Sequence, residues 1–176
     1  MAVCRIYNMK GVEVKSFNTD YLRGLSRIVV GRSSHCDISL KHCAETCISR
    51  EHFTLTKDGD GNWTIHDTSS RAGLYLNAEK ITETRLVNGM VIRFGQLFFG
   101  YGDRCVPSRY SLSWQGDGGY EHGALWNGVN SIGASHDNYV MVREGTVSRV
   151  HCFITITGEK IVLRRGQSLA FTASSR

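Results

Sequence analysis

The chain has 176 residues, of which 41% are hydrophobic and 21% charged, and its formal net charge is +5. This length and composition suit one globular domain and part of a second, and the mild, scattered charge predicts no specific nucleic-acid partner. No apolar run approaches the roughly 20 residues of a membrane span, and Met1 to Lys10 lack the apolar run of a signal peptide, so we expect no membrane association and a cytoplasmic location.

Short β-strands are predicted throughout the first part of the chain. Nineteen glycines, one proline and many β-branched and aromatic residues favour a turn-rich β protein. The segments His52–Lys57 and Asn62–Asp67 alternate in polarity around a turn cluster, which predicts a hairpin. Short strands separated by turns are typical of a β-sandwich. In chain order the predicted strands are Ala2–Asn8, Arg27–Gly31, Asp37–Leu40, His52–Lys57, Asn62–Asp67, Gly73–Asn77, Val91–Phe94, Leu97–Tyr101 and Tyr110–Trp114.

The second part of the chain repeats this scheme on a smaller scale. Its predicted strands are Leu125–Ile132, Tyr139–Val142, His151–Thr157 and Lys160–Arg164, with a further one at Leu169–Thr172. The stretch Gly116-Asp117-Gly118-Gly119 is predicted to be the junction between the two parts. The expected organisation is therefore a first domain over residues 1–116 and a partial unit over residues 120–176.

One short pattern occurs in both parts. The first copy reads Gly31-Arg32-Ser33 and then Ser49-Arg50-Glu51-His52, and the second reads Gly133-Ala134-Ser135 and then Ser148-Arg149-Val150-His151. The order is kept while the intervening length differs, as in a repeated β-fold whose loops accept insertions. Arginine and serine on adjacent loops form a site suited to a phosphate group.

Residues from about Ile28 to Tyr101 resemble a forkhead-associated (FHA) domain. The motifs that carry the resemblance are Gly31-Arg32-Ser33, Ser49-Arg50-Glu51-His52 and the segment Asp67–Asn77. The resemblance implies an all-β, eleven-stranded antiparallel sandwich whose loops at one end bind phosphothreonine peptides. It implies a binding module and not an enzyme, with no cofactor. Residues 124–168 resemble the first half of a second, partial FHA-like unit.

The resemblance also implies a role for individual residues. Phosphopeptide binding is assigned to Arg32 and Ser49 at the phosphate and to Arg50 and Arg71 at the rim. Structural support of the site is assigned to four more residues: Gly31, His52, Gly73 and Asn77. The implied partner is a phosphothreonine-containing protein, such as a Ser/Thr kinase or its substrate, and the implied role is that of an adaptor in kinase signalling.

The first site departs from the family pattern at Ala72, which stands where the family has an asparagine that holds the peptide backbone. Alanine has no side-chain hydrogen bond to offer. Two interpretations remain open at this point. Arg71 adds a cation that replaces the lost contact, or the site has decayed and the sandwich is a phosphate-independent module for protein interaction or self-association.

The second copy departs further, because Ala134 stands where an arginine is expected. Ser148, Arg149 and His151 remain and predict a vestigial second site. A half sandwich leaves apolar faces open, so we expect it to pack on the first domain, to pair with another copy in a homo-oligomer, or to continue in residues absent from this sequence.

The six cysteines are too sparse for a disulfide scaffold and fit reduced thiols. The spacing of Cys36, Cys43 and Cys47 matches no standard zinc arrangement, so no metal site is expected.

Overall fold

A computed structural model describes residues 3–19, 24–43 and 47–166 of the chain. Seventeen β-strands make up the regular structure of these ranges. No helix within them is long and apolar enough to cross a membrane.

The first eleven strands form two sheets. They are β1 Val3–Asn8, β2 Glu13–Asn18, β3 Arg27–Gly31, β4 Ile38–Ser39, β5 Phe53–Lys57, β6 Trp63–Asp67, β7 Leu74–Leu76, β8 Glu79–Ile81, β9 Glu83–Arg85, β10 Val91–Phe94 and β11 Leu97–Tyr101. One sheet has the order β2-β1-β11-β10-β7-β8, and the other has the order β4-β3-β5-β6-β9. The predicted all-β sandwich and the predicted β5–β6 hairpin are confirmed.

The core lies between the two sheets and is built from alternate residues of their strands. Val30 and Phe53 from the five-stranded sheet meet Phe94 and Phe99 from the six-stranded sheet, and all four are fully buried. The ring of Phe53 lies 5.2 Å from that of Phe94 and 5.3 Å from that of Phe99. Burying each such side chain contributes about 1.5–3 kcal/mol. This packing holds the loops at the ends of β3, β5 and β6 in place.

Three strands of the sandwich, β2, β8 and β9, were not predicted. Each lies at the edge of a sheet, and each is mostly exposed or partly exposed. An edge strand pairs through its backbone on one side and buries few side chains. Its sequence therefore lacks the apolar alternation by which a half-buried strand is predicted.

Two strands after the sandwich, β12 Pro107–Gly116 and β13 Gly119–Trp126, form a hairpin. Gly116 pairs with Gly119, so the stretch that was predicted to be a junction is the turn of this hairpin. The prediction of a single strand over Leu125–Ile132 is wrong, because two strands, β13 and the one that begins at Gly128, share this stretch. The chain turns after Trp126, where the buried Asn130 side chain accepts from the Trp126 amide and donates to its carbonyl.

The remaining strands form a four-stranded sheet with the order β15-β14-β16-β17. Their bounds are β14 Gly128–Gly133, β15 Val140–Met141, β16 Cys152–Thr157 and β17 Lys160–Arg165. The pairing is parallel between β14 and β15 and antiparallel elsewhere, as it is in the row β4-β3-β5-β6 of the sandwich. The strand predicted at Leu169–Thr172 lies outside the described residues.

The region from β12 to β17, called here the second unit, packs on the outer face of the six-stranded sheet. The ring of Phe98 on that face lies 5.2 Å from the ring of Trp126 and 5.4 Å from that of Tyr139. The Tyr139 hydroxyl donates a hydrogen bond to the Val91 carbonyl, and Tyr7 packs edge-on against Trp126. Of the three arrangements expected for a half sandwich, the structure has the one in which it packs on the first domain.

Candidate functional site

Three loops of the sandwich meet at one end of the five-stranded sheet and enclose a cleft of about 650 Å³, called here the main cleft. They connect β3 to β4, β4 to β5, and β6 to β7. The main cleft is lined by Arg32, Ser33, His35, Cys47, Ile48, Ser49, Arg50, Glu51, Ser69 and Arg71. The four residues predicted to bind a phosphopeptide, Arg32, Ser49, Arg50 and Arg71, thus come from three separate loops and line one cleft.

Gly31 allows the close approach that orients Arg32. A Cβ atom at Gly31 would lie 2.2 Å from the carbonyl oxygen of Arg50, a distance at which no side chain fits. The amide of Arg32 donates to the carbonyl of Ser49 at 3.0 Å, and the amide of Ser33 donates to that of Arg50 at 3.0 Å. The two loops are therefore joined through their backbones, and the exposed Arg32 side chain faces the cleft.

His52 lies beneath the main cleft and is fully buried. Its Nδ1 accepts from the Ser49 amide at 3.1 Å, and its Nε2 lies 3.4 Å from the Gly73 carbonyl, to which it can donate. Burial lowers the pKa of His52 from its ordinary value, which favours the neutral ring with its proton on Nε2. This one side chain links the Ser49 loop to the loop that contains Gly73.

Ser49 contributes its side chain as well as its backbone. Its Oγ accepts a hydrogen bond from the Arg71 amide at 2.9 Å. A serine hydroxyl can accept and donate at once, so the Ser49 proton can still be donated to an oxygen of a bound phosphate. The hydrogen bond also brings Arg71 to the edge of the main cleft, where it adds a third guanidinium to those of Arg32 and Arg50.

The β6–β7 loop carries its own set of hydrogen bonds. Asp67 Oδ1 accepts from the Ser70 amide, Ser70 Oγ accepts from the Gly73 amide, and Thr68 Oγ1 lies 2.8 Å from the carbonyls of both Glu51 and His52. Thr68 and Ser70 therefore support the site, although neither was predicted from the sequence to do so. The signal was present, because short hydroxyl side chains in a turn bind nearby backbone groups.

Two residues of the same segment lie away from the main cleft. Asn77 follows β7, whereas the cleft loop precedes it, and its Oδ1 accepts from the Ser131 amide of the second unit at 3.3 Å. Ala72 lines a smaller cavity beside the main cleft. The structure therefore brings Gly31, His52 and Gly73 to the predicted site but not Asn77.

The second copy of the motif keeps the backbone contacts of the first, but Ala134 stands in the place of Arg32. A Cβ atom at Gly133 would lie 2.2 Å from the Arg149 carbonyl, and the Ser148 amide donates to His151 Nδ1 at 3.3 Å. The amide of Ala134 donates to the Ser148 carbonyl at 2.9 Å, as that of Arg32 does to Ser49. His151 is exposed, however, whereas His52 is buried. A phosphate site at Ser148, Arg149 and His151 stays a prediction.

In the described part of the chain, no group of three or more histidine, cysteine, aspartate or glutamate side chains is placed to hold a metal ion. The guanidinium groups and the hydroxyl of the main cleft are instead suited to an oxyanion. Arginine presents a planar set of donors that matches the oxygens of a phosphate group, and it keeps its proton at neutral pH.

Part of the sandwich also matches a known protein family. Residues 28–95 match the family model of the FHA domain. The comparison with curated proteins found no match. Similar solved structures include the Slr1951 protein from Synechocystis sp., which is 24% identical, with a TM-score of 0.49, over 59% of this chain and 99% of that one.

Two mycobacterial structures are also similar. The FHA-1 domain of Mycobacterium tuberculosis Rv1747 is 27% identical, with a TM-score of 0.41, over 57% of this chain and 97% of that one. Mycobacterium tuberculosis EmbR, in complex with a low-affinity phosphopeptide, is 22% identical, with a TM-score of 0.44, over 57% of this chain and 24% of that one. The family match over residues 28–95 identifies an FHA domain in this part of the chain, and the eleven-stranded sandwich is an all-β, FHA-like fold.

Proposed function

We propose that the main cleft of the sandwich binds peptides that contain phosphothreonine, and that the protein is an adaptor module in Ser/Thr kinase signalling. The observation that carries the proposal is the convergence of Arg32, Ser49, Arg50 and Arg71, from three loops, on one cleft. FHA domains are protein-interaction modules and not enzymes, which agrees with a binding function.

The charges of the main cleft favour a phosphorylated ligand over an unphosphorylated one. Among the residues that the structure describes, three arginines line it against one acidic residue, Glu51. A phosphothreonine carries a charge of about −1.5 to −2 and three strong acceptor oxygens. Each charge-assisted hydrogen bond contributes roughly 1.5–3 kcal/mol.

The loops of the main cleft are also held in place before a ligand arrives. The hydrogen bonds of His52, Thr68 and Ser70 join them to one another and to the sandwich. Binding to a preorganised site spends little free energy on ordering the protein. This favours the first interpretation of Ala72, in which Arg71 and the hydrogen-bonded parts of the loops offset the missing contact to the peptide backbone.

The test is the binding of the purified chain to a fluorescent phosphothreonine peptide library, measured beside the unphosphorylated library. We expect phosphate-dependent binding that weakens as salt concentration rises. Arg32→Ala is expected to reduce affinity about 10-fold or more, because a guanidinium–phosphate contact is lost. The matched control is Arg27→Ala, since Arg27 is exposed at the other end of β3, away from the cleft. Equal binding by the wild type and Arg32→Ala would contradict the proposal.

We also propose that the boundary between the two parts falls between Tyr101, where the sandwich ends, and Pro107, where the β12–β13 hairpin begins. A boundary at Gly116–Gly119 would divide that hairpin. The second unit is then a partial FHA-like repeat that starts with its own hairpin. The shared strand order and the matching Gly31 and Gly133 contacts support this interpretation.

A second candidate function is self-association through the second unit. Ile161 and Leu163 of β17 are 49% and 67% exposed, and they lie opposite Ile156 and Ile154 of β16 on one face of the sheet. Such an apolar face gains free energy when a second copy covers it. Light scattering over a concentration series tests this function, and a mass that stays at the monomer value would exclude it.

A further inference from the structure

A second, smaller cavity of about 130 Å³ lies between the sandwich and the second unit. It is called here the inter-unit cavity. Cys47 lines both this cavity and the main cleft, and Ala72, which follows Arg71 of the main cleft, lines it as well. The two spaces are therefore neighbours along the surface, and a peptide that leaves the main cleft past Cys47 reaches the inter-unit cavity.

The sandwich contributes a buried cation to the inter-unit cavity. Arg93 of β10 lines it and is only 2% exposed. Its Nε donates to the Gly95 carbonyl at 3.0 Å, but its buried Nη1 has no hydrogen-bond partner among the residues that the structure describes. Burial lowers the pKa of Arg93 to about 10, so the group is charged at neutral pH. A buried, incompletely paired guanidinium is costly, and an anion that reaches it would relieve that cost.

The second unit contributes a second guanidinium, that of Arg143. Arg143 and His136 line the inter-unit cavity and are exposed. Among the described residues, a nearby acid is Asp137, whose Oδ2 accepts from Ser135 Oγ at 3.1 Å. Its Oδ1 lies 3.0 Å from His136 Nε2 but is buried without a hydrogen-bond partner, and its negative charge acts to raise the pKa of Arg93. Within the described ranges, Arg93 and Asp137 form no ion pair at 4 Å or less. The guanidinium groups of Arg93 and Arg143 outnumber the carboxylate of Asp137, so the net charge of these three groups is positive.

We propose that the inter-unit cavity is a subsite for the carboxylate of an aspartate or glutamate in the same peptide whose phosphothreonine occupies the main cleft. Arg93 and Arg143 recognise that carboxylate, so the sandwich and the second unit each supply one of its cations. The inter-unit cavity, at about 130 Å³, has room for a carboxylate group, since one water molecule occupies about 30 Å³ in the liquid. The inference rests on the proposed phosphothreonine binding and adds to it a specificity for acidic peptides that the second unit provides.

The experiment measures the affinity of the full chain for synthetic phosphothreonine peptides by fluorescence anisotropy. The reference peptide has neutral flanking residues, and in each of the others one glutamate replaces a flanking residue, position by position. We expect glutamate to raise affinity about 3- to 10-fold at one position, or at two adjacent positions, because it forms a further ion pair with the protein.

Arg143→Gln is the main variant, because Arg143 is exposed and its replacement does not disturb the core. We expect it to bring the affinity ratio between the best acidic peptide and the neutral peptide close to one. Arg143→Glu is expected to reverse the ratio, so that lysine at the same position is preferred. The matched control is Arg164→Gln, which removes the same charge from the second unit at an exposed position on β17 and keeps the ratio.

Three results would overturn the inference, and they are distinguishable. If the neutral phosphopeptide binds and glutamate raises affinity at no position, the subsite is absent while the proposed function stands. If the gain survives Arg143→Gln, the acidic residue is read elsewhere on the protein. If no phosphothreonine peptide binds at all, the proposed function itself fails, and this inference fails with it.

Discussion

At the scale of single residues, the main cleft depends on side chains that are small or neutral as much as on its arginines. Gly31 lets the Ser49–Arg50 backbone pass within a distance that excludes a Cβ atom. His52 joins two loops only as a neutral ring, because Nδ1 must accept from the Ser49 amide while Nε2 donates to Gly73. The arginines supply the charge, and these two residues determine where the charge is held.

Gly31→Ala is the sharpest test of this view. The new Cβ would lie 2.2 Å from a backbone oxygen, which no side-chain rotation can relieve. We expect a loss of about 1–3 kcal/mol in the free energy of unfolding, the usual cost of overpacking, as measured by urea denaturation. Gly145→Ala is the matched control, because a Cβ there meets nothing within 4 Å and the backbone is not left-handed. Equal stability of the two variants would contradict the argument.

At the scale of elements, the strands differ in what stabilises them. Central strands are stabilised by burial in the core: β5 buries its first three residues and β10 buries all four. Edge strands such as β2 and β8 rely on backbone pairing with one neighbour. The last described strand, β17, is also an edge, and it carries exposed apolar residues in addition to Lys160, Arg164 and Arg165. The charges of β17 oppose edge-to-edge pairing, while its apolar face favours contact through the face of the sheet.

Leu163→Glu tests whether that face associates. If two copies meet there, the substitution is expected to shift the mass measured by light scattering toward the monomer, because a buried carboxylate at the contact is costly. The control is Arg164→Gln, whose side chain points to the opposite side of the same strand. A mass that is equal for the wild type and Leu163→Glu would show that this face mediates no association.

At the scale of the whole molecule, the second unit and the sandwich share one apolar cluster. Tyr7, Phe98, Trp126 and Tyr139 are all buried in it, and they come from β1 and β11 on one side and from the second unit on the other. The contact covers the outer face of the six-stranded sheet and forms the inter-unit cavity. The second unit therefore has a structural role independent of any phosphate site of its own.

Trp126→Ala tests whether the two parts unfold together. Trp126 is 1% exposed, and its loss is expected to cost about 3–5 kcal/mol. Because the cluster joins both parts, we expect a single thermal transition at a lower temperature, with faster amide exchange in β11 as well as in β14. Tyr120→Ala on the same strand is the control, since Tyr120 is 75% exposed. Two separate transitions, with only one of them shifted, would contradict a shared cluster.

Most central strands of the sandwich could be predicted from the sequence, and the resemblance to the FHA domain pointed to four of the residues that line the main cleft. Alternating apolar residues mark strands such as β5 and β6 because burial of one face leaves a period of two in the sequence. Arg32, Ser49 and Arg71 could be named because their motifs occur at turns that follow such strands. The positions of these motifs in the chain, together with the fold that they implied, were sufficient to predict that the three residues lie together.

The remaining features arise from contacts between segments that are far apart in the chain. The edge strands, the turn at Gly116–Gly119 and the contact of Asn77 with Ser131 depend on which backbone groups meet, and backbone groups leave little trace in the side-chain pattern. The same holds for the inter-unit cavity, where Arg93 and Arg143 lie 50 positions apart. The sequence by itself determined the fold class, because the alternation of buried and exposed positions along a strand is a local pattern. The tertiary structure alone decided how the second unit covers the sandwich, because that depends on the shape of two buried surfaces.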